Sequence, residues 1–169
     1  MDEAVFAEAL RLVAEGDPSS VTRRAIAEGA GVSRQTLYNR WPTTADIVLD
    51  ALLDRAASSV GVHSSAGLRG YLVELAAAVE GWARPGLRAL AGFAQLDHEF
   101  AERFRGRFVA VRHGALEAAI RGQMPETPEV EWLAELVAGS LWFRVLVADL
   151  PLDDAWVGGL VATVERASS

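Results

Sequence analysis

Apolar residues recur along this chain at the three- and four-residue intervals of helix faces. Val5, Phe6, Ala9, Leu10 and Val13 mark one face of a first helix over 4–14. Gly16-Asp17-Pro18-Ser19-Ser20 stops it, with Ser20 or Thr22 available to cap the next. Arg23 to Ala30 is a compact amphipathic segment. Gly31-Val32-Ser33 then reads as a tight turn that delivers Ser33 as an N-cap, because a serine oxygen accepts a hydrogen bond from an otherwise orphan helical amide. A short helix follows, so the pair reads as helix, turn, helix. Ala27 supplies a small residue for the helix crossing, Gly31 a flexible turn residue and Leu37 an apolar anchor.

Trp41-Pro42-Thr43-Thr44 forms the next joint, with Trp41 expected to seal the core of the small head. Thr43 to Asp46 has capping-box spacing, with Asp in place of the commoner Glu or Gln and Thr44 as an alternative cap. Val48, Leu49, Leu52, Leu53 and Ala56 predict a helix to about Ser58 that joins head to body without a flexible linker, so a shift in the body can rotate the head. Ser58 to Gly70 reads as a loop and Tyr71 to Trp82 as a helix. Arg84-Pro85-Gly86 reads as a break or restart before a helix over Leu87 to Leu96. Between Glu99 and Arg121 a longer helix carries Phe100, Phe104, Phe108, Val111 and Ala115 as one stripe, with Val109, Leu116 and Ile120 extending burial onto another face. Gly122 to Pro128 is a further break. Glu129 to about Val147 is apolar on most sides, and Trp156, Val157, Leu160, Val161 and Val164 line the last helix. Gly158-Gly159 suggests the close approach of another backbone there. Two such apolar terminal helices exceed what one small body needs and predict a two-fold dimer interface, with a well-buried monomer core as the alternative.

Composition narrows the class. The chain has 169 residues, no cysteine and only three histidines, which excludes disulfides and thiolate metal sites. No apolar run approaches a membrane span, and the acidic start of the chain does not resemble a signal peptide, so a soluble cytoplasmic protein is expected. The formal charge of −7 argues against nucleic acid until its placement is considered. Residues 20–43 hold Arg23, Arg24, Arg34 and Arg40 against Glu28, a local balance of +3. The expectation is a narrow basic face on an acidic body. Every basic residue is arginine. Asp97-His98-Glu99 has no second histidine at zinc-helix spacing, and there is no phosphate loop or nucleophile elbow, so neither catalysis, metal nor cofactor is expected.

On the helix after Ser33, Val32 and Leu37 are expected to face the core while Arg34, Gln35, Thr36, Tyr38, Asn39 and Arg40 cover the rest. Arginine pairs with guanine edges, glutamine and asparagine with adenine, and hydroxyls with phosphate or base. Double-stranded DNA is therefore the expected partner. A polar surface helix in an ordinary helical hairpin and a protein-binding helix are the alternatives.

Ile26-Ala27, Ala30-Gly31-Val32-Ser33, Thr36-Leu37-Tyr38 and Trp41-Pro42 match, in order and spacing, the signature of the TetR family of bacterial transcriptional regulators, which the chain resembles across about Ser20 to Leu53. GSLWFRVLVADLPL, Gly139 to Leu152, is similar to one branch of the family's regulatory domains. The resemblance implies an all-α protein: a helix-turn-helix DNA-binding head over 1–47, and a helical-bundle body over 48–169 for ligand binding and dimerisation through the last two helices. It implies a repressor that binds a palindromic operator as a homodimer and is released by a small, largely apolar effector. By position, Thr36 and Tyr38 would touch phosphate or neighbouring base edges, and Arg34, Gln35 and Arg40 would select the operator. Arg24 would reach the groove edge or backbone, with Ser33, Asn39 and Thr44 completing the surface.

Three departures stand out. Thr44 replaces a common lysine, Arg23 occupies an often apolar position and so either snorkels toward DNA or weakens packing, and the acidic start makes a basic minor-groove arm unexpected. The implied effector cavity would draw on Trp82, Phe93, Phe104, Phe108 and Trp142, aromatics spread over several central helices, with Arg88, Gln95, His113 or Arg144 orienting a polar group. The alternative for these aromatics is core filling. The alternative for the protein is a ligand-binding or protein-interaction module of the same fold that has lost specific DNA binding.

Overall fold

A computed structural model describes residues 1–16, 20–59, 67–124 and 129–167, excluding the side chains of 58 and 59. Among these residues the chain forms ten α-helices and no strand: α1 (Asp2–Ala14), α2 (Arg23–Ala30), α3 (Arg34–Arg40), α4 (Thr44–Ser59), α5 (Gly67–Ala78), α6 (Arg84–Leu96), α7 (His98–Phe104), α8 (Ala110–Gln123), α9 (Val130–Trp142) and α10 (Asp154–Ala167). Three π-helical turns, Val79–Ala83, Arg105–Val109 and Phe143–Ala148, continue α5, α7 and α9.

Contacts divide the chain into two compact units, residues 1–56 with 83–108 and residues 57–82 with 109–169. The chain passes from one to the other within α4 and at the first two π turns.

In the first unit α1 packs on α2 and α6, α2 on α3, and α6 on α7. Val5, Ile26, Leu37, Ile47, Leu49 and Phe100 are fully buried. Each such aliphatic side chain contributes about 1.5–3 kcal/mol. Two glycines permit the closest crossings: a Cβ at Gly29 would overlap the Glu8 side chain of α1, and one at Gly86 would overlap Leu52 of α4. Phe100, Phe104 and Phe108 stack in series, with ring centroids 6.1 and 5.5 Å apart. Phe93 meets Phe100 edge-on at 6.3 Å.

In the second unit α5 packs on α8 and α10, and α8 on α9. Leu68, Leu72, Ile120, Ala134, Val137 and Val157 fill its core. Two of its polar side chains reach partners on neighbouring helices. The Tyr71 hydroxyl, its pKa pushed up by burial, donates to the Arg112 carbonyl at 3.3 Å, and Trp156 Nε1 donates to Ser140 Oγ at 2.9 Å.

Several elements differ from the sequence pattern. Pro85 does not break the chain: it stands in the first turn of α6, where its missing N–H does least harm, and the π turn over Val79–Ala83 carries the helix into it. The π turn after Phe104 interrupts the long stripe, so Val111 is 47% exposed while Ala115, Leu116 and Ile120 stay buried. Helix α5 begins at Gly67, and α8 runs through Gly122 to Gln123. The expected loop at 58–70 and break at 122–128 otherwise lie outside the described residues, as do Pro125, Pro128 and His63. Among the described residues no backbone comes close to Gly158 or Gly159; a Cβ at Gly158 would meet the Arg69 guanidinium at 3.9 Å, and one at Gly159 nothing within 4 Å.

Candidate nucleic-acid interface

Each end of the helix pair is capped as its sequence requires. Thr22 Oγ1 accepts from Ala25 N at 3.1 Å and starts α2. Gly31 ends it at φ +67°, a left-handed conformation glycine adopts without a Cβ penalty, while Val32 N donates to Ala27 O at 3.0 Å. Ser33 then caps α3: its Oγ accepts from Thr36 N at 3.1 Å and shares a 2.8 Å bond with Thr36 Oγ1. Leu37 is the one fully buried residue of α3, and Val32 before it is half-buried. Trp41 is 4% exposed, packs edge-on against Phe6 at 6.0 Å and donates from Nε1 to Asp50 at 2.7 Å; it seals the core, and its ring is withheld from any base.

The remaining surface of α3 is exposed and already ordered. Gln35 Nε2 donates to Asn39 Oδ1 at 2.8 Å, joining two amides one turn apart. Arg23 lies 3.9 Å over the Tyr38 ring and donates to the Pro42 carbonyl at 3.1 Å, so this departure from the apolar residue expected there ties the start of α2 to the end of α3. Tyr38 itself is 54% exposed.

Glu28 was not among the residues singled out from sequence, yet one of its oxygens accepts from both Arg24 Nε at 2.9 Å and Arg34 Nη2 at 3.1 Å. The Arg24 bond, then the Arg34 bond, hold its carboxyl below the usual range. Arg40 is likewise paired, with Asp2, and lies over the Trp41 ring. The Arg24 to Glu28 spacing of one helical turn was readable; the bridge to Arg34 and the Asp2 contact cross between elements and were not.

Behind this face, Thr43 and Asp46 complete a reciprocal capping box. Asp46 Oδ2 accepts from Thr43 N at 3.0 Å and Thr43 Oγ1 at 2.7 Å, while Asp46 N donates to Thr43 Oγ1 at 3.2 Å. Thr44 is therefore the first residue of α4 and not its cap. Asp46 is 3% exposed and also receives Arg103 of α7 through two bonds, 2.7 and 3.0 Å. Burial opposes its charge most strongly, but the Arg103 and Thr43 bonds outweigh burial and keep the carboxyl below its ordinary pKa. One turn on, Asp50 pairs with Arg107 at 2.8 Å, so two carboxylates of α4 meet two guanidinium groups spaced by one helical turn.

The five aromatics considered for an effector fall in different places. Phe93, Phe104 and Phe108 belong to the first unit, the last two buried in the phenylalanine series; Trp82 and Trp142 are half-buried in the second. Of these five, only Phe93 borders the cleft between α1 and α6. Asp97 caps α7 by accepting from Phe100 N at 3.0 Å, and no metal-ligating cluster occurs among the described residues.

Residues 5–51 match the family model described as bacterial regulatory proteins, tetR family, and residues 64–164 match the one described as tetracyclin repressor-like, C-terminal domain. The chain belongs to the TetR family. A TetR-type relative, the uncharacterized HTH-type transcriptional regulator YdeS of Bacillus subtilis (strain 168), is 30% identical over 168 residues, covering 94% of this chain and 85% of its own. The uncharacterized HTH-type transcriptional regulator Rv1556 of Mycobacterium tuberculosis (strain ATCC 25618 / H37Rv) is 26% identical, covering 95% and 83%. The crystal structure of TetR family transcription regulator SCO0332 superposes with a TM-score of 0.71 at 27% identity over 95% of this chain and 96% of that one. As in the family, the head is a helix-turn-helix, and the protein is a DNA-binding transcriptional regulator. Among the described residues no helix is long and apolar enough to cross a membrane.

Proposed function

We propose that the protein is a cytoplasmic, ligand-responsive repressor that grips a palindromic operator as a homodimer. The observation that carries this reading is the presentation of α3, exposed over every residue but Leu37 and half-buried Thr36, and anchored from behind by Trp41. Arg34, Gln35 and Arg40 read base edges, Thr36, Tyr38 and Asn39 hold backbone or neighbouring edges, and Arg24, Ser33 and Thr44 meet the flanking phosphates. The functional division is a DNA-reading portion over 1–47 and a regulatory portion over 48–169.

The dimer reading is supported by apolar surface that the chain does not itself cover. Trp132, Leu136, Phe143 and Val147 are 59, 46, 55 and 73% exposed along α9 and its π turn. Gly139 continues this face, and Ala155, Gly159 and Thr163 give α10 an exposed small-residue face on which a second backbone can settle. The buried stripe of α10, from Trp156 to Val164, is by contrast consumed within the chain. One recognition helix touches few base pairs, and a two-fold pair engages two half-sites.

For release, a largely apolar effector engages Phe93, Trp82 or Trp142, and it draws in Phe104 and Phe108 only by parting their stack. Preferential binding to a geometry of low DNA affinity lowers occupancy of the operator.

Fluorescence anisotropy with duplexes from the DNA upstream of the protein's own gene tests the reading. Arg34→Ala or Gln35→Ala should reduce discrimination between operator and scrambled duplex by about tenfold or more, and Tyr38→Ala should weaken both alike. A protein that ignores every duplex in a broad selection is instead the ligand- or protein-binding module. The pairing of Arg24 and Arg34 with Glu28, and of Arg40 with Asp2, is the observation favouring that second reading.

A further inference from the structure

Glu28 stands in the last turn of α2, and Arg34 is the first residue of α3. The turn between them is fixed at both ends: Val32 N donates to Ala27 O at 3.0 Å, and Ser33 Oγ accepts from Thr36 N at 3.1 Å. Six residues apart in the chain, the two side chains therefore meet, and Glu28 Oε1 accepts from Arg34 Nη2 at 3.1 Å and from Arg24 Nε at 2.9 Å. One carboxylate oxygen thus holds guanidinium groups from two helices.

The side chains of Arg24, Glu28 and Arg34 are 69, 57 and 54% exposed, so these bonds exchange with water or DNA at small cost and contribute little to folding. Their consequence falls on the DNA-facing surface instead. The N-terminal residues of a recognition helix are the ones that contact base edges. A freely swinging arginine there would pair as readily with a phosphate, which carries no sequence information. A guanidinium has five N–H donors, so Arg34 held by Glu28 keeps donors for a base edge. Seating it on a phosphate brings that anion toward the carboxylate or breaks the existing bond, and an arginine already neutralised releases fewer counterions there. A neutral guanine edge meets no such repulsion.

We propose that Glu28 is a positioning residue that sets the sequence selectivity of α3: it holds Arg34 for base edges and penalises its use on phosphate. Arg24, one helical turn before Glu28, braces the same carboxylate. The proposal rests on the base-reading role given to Arg34 above.

The test uses the full-length protein and two duplexes of equal length, one recovered from random-sequence DNA by selection on the wild-type protein and one scrambled from it. Fluorescence anisotropy across a salt series gives the affinity and the salt slope for each. Glu28→Gln, nearly the same shape without the charge, should bind the scrambled duplex more tightly and lower the ratio of the two affinities about threefold or more, the scale of an exposed ion pair. On the scrambled duplex the dependence of log Kd on log salt should steepen by about one, as one further phosphate contact forms. In an Arg34→Ala background the same substitution should leave the ratio unchanged, because Glu28 acts through Arg34. Circular dichroism should show every variant folded. With Arg34→Ala alone lowering the ratio, an unaltered ratio in Glu28→Gln, or an equal drop in both backgrounds, would overturn the proposal and leave base reading by Arg34 intact. A ratio that Arg34→Ala does not lower, or a wild-type protein that recovers no duplex, refutes the base-reading role and the proposal with it.

Discussion

Replacing Asp46 with Asn tests how the head is fastened to α7. The wild-type carboxylate is 3% exposed and receives four hydrogen bonds, two from Arg103 and two from Thr43. A bond to a charged group contributes about 1.5–3 kcal/mol net. Asparagine keeps one acceptor oxygen, which can serve Thr43 or Arg103 but not both, and puts N–H donors where the second set of donors points. Arg103, whose side chain is 30% exposed, can turn to water, so the full cost of a stranded buried charge is not incurred. The expected loss is about 2 kcal/mol, or about 4–8 °C in melting temperature for a chain of this size. Circular dichroism melts at neutral pH measure it. Arg103→Gln should cost at least as much, because it leaves a buried carboxylate without its cation. The double variant should then be milder than the sum of the two by about 1 kcal/mol or more. An Asp46→Asn loss below about 0.5 kcal/mol, or strict additivity, would refute the claim that this pair holds the two helices together.

The same pair sets a pH dependence. Because the folded carboxyl of Asp46 has a pKa below its ordinary 3.8, its contribution is fully present above that value and is lost as pH falls through the folded one; the melting gap between wild type and Asp46→Asn should stay constant above about pH 5 and close below it. Gly31→Ala forces a Cβ into φ +67° and should cost about 1–2 kcal/mol by thermal melting, with operator binding weakened as α3 loses its fixed start. Ser33→Ala removes the cap of α3 and should cost about 1 kcal/mol by the same measurement. Trp132→Glu with Phe143→Glu should convert a dimer to a folded monomer in sedimentation velocity, whereas an unchanged sedimentation coefficient would move the interface elsewhere.

What could be read from the chain alone was whatever depends on neighbours a few residues apart. Gly31, Ser33 and Leu37 specified the turn, the cap and the buried anchor of α3, because left-handed glycine, side-chain capping and one-face burial are local requirements. The Thr43 to Asp46 spacing disclosed a capping box for the same reason, and Trp41 announced itself as a plug by following a polar helix. Helical periodicity also located most of the buried residues. It misplaced Val111, which follows directly on a π turn that leaves no mark in an apolar pattern, while Ala115 one helical turn further on is buried as expected.

Contacts between distant segments were decided only in three dimensions. Nothing local ties Arg34 to Glu28, Arg40 to Asp2 or Arg103 to Asp46, because an ion pair depends on where two helices cross and not on which residues flank it. The aromatics of the body looked alike in sequence. Packing buried Phe104 and Phe108 against each other and left Phe93 beside a cleft whose opposite wall comes from α1, about eighty residues earlier in the chain. A pattern of side-chain types specifies which faces must be hidden; which face covers which is settled by the crossing of helices, and the cleft and the buried ion pair arise at those crossings.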